Sequence, residues 1–188
     1  GQSLAIALAQ AGVSVHVVDR AVPETTLAPE HDGRASAISF ASQQMLRAIG
    51  VWNDIAESQP ILGIRVTDRN SPLHIHFDHK GLGGEPFGAM VENRHMRLGL
   101  HTTLKRTTVR NTAPESLKSF VTNPFGVEAT LESGDVVHAR MLVAADGARS
   151  QTRDMAGIGT RGWSYDQWGI VTTVAHERPH EGIAHERF

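Results

Sequence analysis

Two stretches of this sequence gather residue types that handle ribose and phosphate. The first runs from Gly1 to Asp19: an Ala-rich apolar stretch, then Val13-Ser14-Val15-His16-Val17-Val18-Asp19. A glycine opening a helix, with an acid closing the next strand about 20 residues on, matches the second half of a dinucleotide-binding βαβ unit. There the glycine lets helix and strand pack closely, the helix N-terminus faces a pyrophosphate, and the acid accepts from a ribose hydroxyl. An ordinary α/β pair shares the pattern. The second stretch is Met141-Leu142-Val143-Ala144-Ala145-Asp146-Gly147-Ala148-Arg149-Ser150-Gln151-Thr152-Arg153. Asp146 could orient a ribose or a water, Gly147 permits close backbone approach, and Arg149 and Arg153 could face phosphate. The plainer alternative is a capped strand–helix turn with Asp146 as N-cap.

Other reactive residues carry less. His74, His76 and Asp78 alternate onto one side of a strand, the spacing at which imidazoles can bind zinc. Burial of Leu73, Ile75 and Phe77 on the other side explains the same alternation, so no metal is assigned. His176, Glu177, His180 and His185 are residue types that could suggest acid–base work. Arg65, Asp68 and Arg69 read as the solvated side of a strand. Lys105, Arg106 and Arg110 form a basic cluster too short, and too poor in aromatics, for nucleic acid. Trp52, Trp163 and Trp168 read as core or interdomain packing.

The chain has 188 residues, with 40% hydrophobic and 20% charged, an ordinary globular balance long enough to bury a core. Eighteen Lys and Arg against 20 Asp and Glu give a net charge of −2, so no global field attracts nucleic acid or anionic lipid. The absence of Cys excludes disulfides, thiolate nucleophiles and Cys-ligated metal clusters. With no secretory leader and no apolar run of roughly 20 residues, the expected compartment is the cytoplasm.

The elements that must position these residues follow from periodicity. Residues 1–12 predict a helix stopped by Gly12, and 13–19 a strand. Residues 21–34 read as a loop, 36–48 as a helix closed by Gly50, and 52–57 as a helical turn. Ile64–Asp68 and Leu73–Phe77 read as a hairpin around Asn70, Ser71 and Pro72. A Gly-rich loop spans 81–88, a strand 87–91 and a helix 93–106. Residues 126–131 and 136–139 read as a hairpin through Ser133, Gly134 and Asp135. Further strands are expected at 141–145 and 167–175. The pattern predicts a dinucleotide-binding α/β sheet interrupted by antiparallel strands. Its first strand is missing and its last segment is extended, so the chain is expected to be a piece of a longer protein.

Asp19, the Asp32-Gly33-Arg34-Ala35-Ser36 string and Ala145-Asp146-Gly147-Ala148-Arg149-Ser150 together resemble the FAD-dependent aromatic hydroxylases, the class A flavin monooxygenases. Ala37-Ile38-Ser39, Gly50-Val51-Trp52, Val91-Glu92-Asn93-Arg94, 157–163, 176–180 and 184–188 are similar to the ubiquinone-biosynthesis branch, the polyprenyl-methoxyphenol hydroxylase type. The likeness covers nearly the whole chain, with 111–125 the least distinctive.

The resemblance implies a Rossmann-like FAD-binding domain of glutathione-reductase type, at residues 1–70 and 93–160, with antiparallel strands inserted from a substrate domain begun at 71–92 and 161–188. It implies FAD as cofactor and NAD(P)H as reductant. Gly1 would be the last glycine of the FAD fingerprint and Asp19 would hold the adenosine ribose. Arg34 would lie along the pyrophosphate and ribityl chain, with Asn93 directed at the same cofactor. Asp146, Gly147 and Arg153 would serve FAD and the nicotinamide donor. The implied reaction hydroxylates a prenylated phenol with O₂ through a flavin C4a-hydroperoxide, and no catalytic base is identifiable. The resemblance also implies peripheral contact with the inner membrane or a ubiquinone-synthesis complex. The chain alone, lacking the first fingerprint glycines and the later Gly-Asp motif, is expected to be inactive. Two alternatives stay open: a nucleotide-binding module without turnover, and a flavin hydroxylase of a soluble aromatic.

Overall fold

The computed structural model describes residues 1–28, 32–69 and 71–188. In chain order the first elements are α1 (Gln2–Gln10), β1 (His16–Val18), α2 (Pro23–Leu27), β2 (Ala35–Ser39), α3 (Phe40–Ala48), β3 (Gln59–Ile61), β4 (Gly63–Thr67) and β5 (His74–Asp78). They are followed by β6 (Gly88–Glu92), α4 (Asn93–Leu104), β7 (Arg110–Thr112), β8 (Leu117–Asn123), β9 (Gly126–Leu131), β10 (Val136–Ala139), α5 (Gln151–Met155) and β11 (Ile183–Arg187). Single 3-10 turns lie at Val51–Asp54 and His79–Leu82. The chain divides into two compact units, Gly1–Thr26 with Thr107–Ile170 and Leu27–Arg106 with Val171–Phe188.

In the first unit, α1 buries Ala5 and Ile6 and stops where the sequence predicts. Gly12 takes φ +80°, which lets the Val13 N–H reach the Leu8 carbonyl at 2.9 Å and close the helix with a left-handed residue. β1 then pairs in parallel with β7, Val18 opposite Thr112. Strands β8, β9 and β10 form an antiparallel sheet in the order β10-β9-β8, with Val127, Ala129 and Leu131 turned into its core. The β9–β10 hairpin turns through Ser133-Gly134-Asp135 as expected, with Gly134 at φ +92°.

In the second unit, β2, β6 and β3 make one antiparallel sheet in the order β2-β6-β3, and β11, β4 and β5 make another. α3 and α4 pack with the Val51–Asp54 turn, burying Leu46, Ile49, Val51, Ala89, Val91 and Leu104. Gly99 lets α4 approach that turn closely: an added Cβ would lie 3.0 Å from Ile55 Cγ1. In the second sheet β4 is central, antiparallel to β5 and parallel to β11.

Several expectations need correction. Residues 36–39 are strand, not helix, because Ser39 is the N-cap of α3: its Oγ accepts the Ser42 N–H, so the helix starts only at Phe40. Within the 21–34 loop a short helix forms at α2, where Pro23 presets the first helical φ and Glu24 favours the N-terminal dipole. Pro29 of that loop, and Asn70 of the β4–β5 turn, lie outside the described residues. Residues 141–145 and 167–175 join no ladder among the described residues, and they are exposed throughout. The Leu73, Ile75 and Phe77 side of β5 is likewise exposed rather than buried. Trp163 and Trp168 are not core, Trp168 being 97% exposed, while half-buried Trp52 stacks under the Arg47 guanidinium at 5.8 Å.

Candidate functional site

The β2–β6 register decides what meets at the end of this sheet. Ala35 pairs with Glu92, which places Arg34 beside Asn93 one step further, and the Asn93 N–H donates to the Arg34 carbonyl at 2.9 Å. Asn93 is also the first residue of α4, and Arg97 follows one turn later on the same helical face. These three residues converge on Asp32, whose side chain is only 11% exposed.

Asp32 Oδ1 accepts from Arg34 Nε at 2.8 Å and from the Arg34 backbone N–H at 3.1 Å. Its Oδ2 accepts from Arg34 Nη2 at 3.0 Å, Asn93 Nδ2 at 2.9 Å and Arg97 Nη1 at 3.2 Å. The Arg34 hydrogen bonds, with those of Asn93 and Arg97, hold the Asp32 carboxyl well below the usual carboxylate range. Ser36 Oγ donates to Asn93 Oδ1 at 2.6 Å, so both ends of that carboxamide are fixed. Arg34 itself stays 65% exposed, with a guanidinium tied on one edge.

The first unit carries the remaining candidates. Gly1 opens α1, and an added Cβ there would sit 3.4 Å from Ala145 Cβ, directly before Asp146-Gly147. Asp19, half-buried after β1, accepts the Ala21 N–H through Oδ1 at 2.9 Å; its Oδ2 has no donor among the described residues. Asp146 accepts from Ser150 Oγ at 2.5 Å and from Thr152 N and Oγ1 at 3.1 and 3.0 Å. Those bonds, the Ser150 hydroxyl first, draw its carboxyl down to about 2. The N-cap of α5 is Ser150 rather than Asp146: Ser150 Oγ accepts the Arg153 N–H at 3.0 Å while Asp146 takes the Thr152 N–H. Gly147 holds φ +85° with open space where a side chain would stand, so its backbone conformation, not crowding, calls for glycine. Arg153 is tied within its own turn, Nη1 to the Ala148 carbonyl at 3.0 Å and Nη2 to Asp154 at 3.1 Å.

The structure thus brings Arg34 and Asn93 onto one carboxylate in one unit, and sets Gly1 against Ala145, the residue before Asp146-Gly147, in the other. Asp32 is the residue that sequence reasoning passed over. It stands in the quoted string at the end of the 21–34 loop, and nothing local shows that Asn93 and Arg97 reach it. Asp78 is committed elsewhere, accepting the Lys80 N–H at the start of the His79–Leu82 turn. Among the described residues no group of three or more His, Asp and Glu side chains is placed to hold a metal ion.

Taken unit by unit, guanidinium and carboxamide donors gathered in the second unit suit phosphate, and in the first unit a carboxylate acceptor after a strand and a glycine–acid turn suit ribose and phosphate. The FAD binding domain family matches residues 1–188. The chain belongs to that family.

Among curated proteins it is 48% identical to the ubiquinone hydroxylase UbiL of Rhodospirillum rubrum over 190 residues, covering 100% of this chain and 44% of that protein. It is 34% identical to the 3-demethoxyubiquinol 3-hydroxylase of Escherichia coli over 183 residues, 94% of this chain and 46% of that protein. The chain therefore spans less than half the length of these relatives. Among solved structures, a mutant of PqsL from Pseudomonas aeruginosa aligns with a TM-score of 0.74 at 19% identity, over 87% of this chain and 45% of that one. A mutant of 2-methyl-3-hydroxypyridine-5-carboxylic acid oxygenase aligns with a TM-score of 0.66 at 21% identity, over 84% and 39%. At these identities the likeness shows the shared α/β FAD-binding fold.

Proposed function

We propose that the longer protein carrying this chain is an FAD-dependent monooxygenase that hydroxylates a polyprenylated phenol in ubiquinone biosynthesis, with NAD(P)H as reductant and O₂ as oxidant. The observation that carries this reading is the 48% identity, across the whole chain, to a protein named a ubiquinone hydroxylase. The chemistry that FAD supplies when bound is reduction by NAD(P)H and transfer of one oxygen atom from O₂ to an electron-rich ring.

The work of this chain is then to hold and shield. Asp19 Oδ2 accepts from a ribose hydroxyl, and Gly1 keeps the start of α1 free of a side chain. Arg34 and Asn93 face the diphosphate and ribityl chain. Asp146, Gly147 and Arg153 belong to the turn that serves cofactor and nicotinamide donor. Residues 1–70 with 93–160 form the cofactor domain in this proposal, and 71–92 with 161–188 begin the substrate domain. Among the described residues no helix is long and apolar enough to cross a membrane. A prenylated substrate places the protein against the bilayer surface by its tail alone.

The test is turnover by the full-length protein with a short-chain prenylphenol under ¹⁸O₂. Label in the ring product, with NAD(P)H consumed in step, is the expected result. Stimulated NAD(P)H oxidation with only a soluble phenol would move the substrate assignment to soluble aromatics. FAD binding with no stimulated oxidation by any phenol would leave a binding module without turnover.

A further inference from the structure

Asp32 gathers five donors on one carboxylate: the Arg34 N–H, Nε and Nη2, Asn93 Nδ2 and Arg97 Nη1. With its acceptor capacity taken up by these bonds, it has no lone pair to spare for a proton or a ligand. What the arrangement does is fix other groups. Arg34 is bound side-on through Nε and Nη2, the paired geometry that sets the plane of a guanidinium, and Nη1 has no acceptor among the described residues. An arginine that is 65% exposed would otherwise sample many rotamers, yet this one is already oriented. Asn93 is held at both ends, Ser36 Oγ donating to its Oδ1 and its own Nδ2 donating to Asp32. Its amide cannot flip without breaking both bonds. Asp32 and Asn93 stand 61 residues apart, so local chain geometry does not require the contact.

We propose that Asp32 is the positioning residue of the FAD site, preorganising Arg34 and Asn93 together through one carboxylate so that both donors are set before the cofactor arrives. This rests on the reading that Arg34 and Asn93 face FAD. Preorganised donors strengthen binding because their ordering cost is met before the ligand arrives. An Asn at this position offers one acceptor oxygen where five donors converge, and its own NH₂ would point at other donors.

The measurement is FAD affinity of the full-length apoprotein by equilibrium dialysis, with thermal melting of each apoprotein alongside. Asp32→Asn is expected to raise the Kd by on the order of tenfold, the scale on which supporting partners tune a site. In an Arg34→Met background the same change is expected to raise the Kd by clearly less than it does alone, because only the part that acts through Asn93 remains. A wild-type Kd for Asp32→Asn, or a full additional loss in the Arg34→Met background, would overturn the proposal. Should Asp32→Asn fail to fold, Ser36→Ala decides: a raised Kd with unchanged melting supports a preorganised Asn93, and an unchanged Kd overturns it. A wild-type protein that takes up no FAD contradicts the cofactor reading itself. One that binds FAD, loses it on Arg34→Met and keeps it on Asp32→Asn contradicts only the role given to Asp32.

Discussion

Asp146, Ser150 and Thr152 form a local cap whose behaviour can be checked residue by residue. Ser150 is 6% exposed and serves twice, donating to Asp146 and accepting from Arg153 N–H. Ser150→Ala removes the N-cap and is expected to cost about 1 kcal/mol in a denaturant melt. The same variant should return the Asp146 carboxyl towards its ordinary value. In the wild type the Ser150 hydroxyl, the largest of several influences, draws that carboxyl down to about 2, below the ordinary carboxylate range. A depressed carboxylate stabilises the fold fully above the unfolded value, so its contribution is complete above pH 4 or so and lost as pH falls through about 2. Carbon-detected NMR titration reads both effects, and an Asp146 midpoint near 4 in the wild type would contradict the cap. At this scale the sequence was informative where a residue type and its neighbours sufficed. Asp146-Gly147 and Arg34 stand out as strings, whereas Asp32 reads only as a loop residue because its partners Asn93 and Arg97 are remote in the chain.

The element that matters most is the β2–β6 pairing, since a slip of one residue would part Arg34 from Asn93 and turn each side chain to the opposite face. Gly88 guards that register. An added Cβ would lie 2.1 Å from the Ile38 carbonyl oxygen of the neighbouring strand, a distance only backbone movement can relieve. Gly88→Ala is expected to destabilise by at least about 2 kcal/mol and to weaken FAD binding in parallel. An alanine variant with wild-type melting and affinity would show that the strands are not so closely held. The β9–β10 hairpin was legible from its turn residues. β2 was missed because Ile38 shares helical spacing with Met45 and Leu46, although Ser39 directly before the apolar Phe40 is an N-cap residue type that signals a helix start. β8 was missed for a different reason: a register shift between Leu117 and Ser119 breaks the alternation on which strand reading depends.

For the whole molecule, membership of the FAD binding domain family was legible in motifs spread over nearly the full chain, while the extent of exposed apolar surface was not. Leu73, Ile75 and Phe77 on β5, and Trp163, Trp168 and Ile170, lie open to solvent. Periodicity marks a face as apolar, but only the packed structure shows whether anything covers it. The relatives are more than twice as long, and exposed apolar side chains bind a hydrophobic dye until further chain covers them. The 188-residue chain by itself is expected to bind a hydrophobic dye strongly and the full-length protein several-fold less per mole. Equal binding by both would mean these side chains stay exposed in the longer protein. The central claim, that this chain holds FAD, is tested most directly by the visible absorption spectrum of the purified full-length protein, before and after added FAD. Flavin bands that co-elute with the protein, and diminish in an Arg34→Met variant, are the predicted result. A colourless protein that also fails to retain added FAD would contradict it.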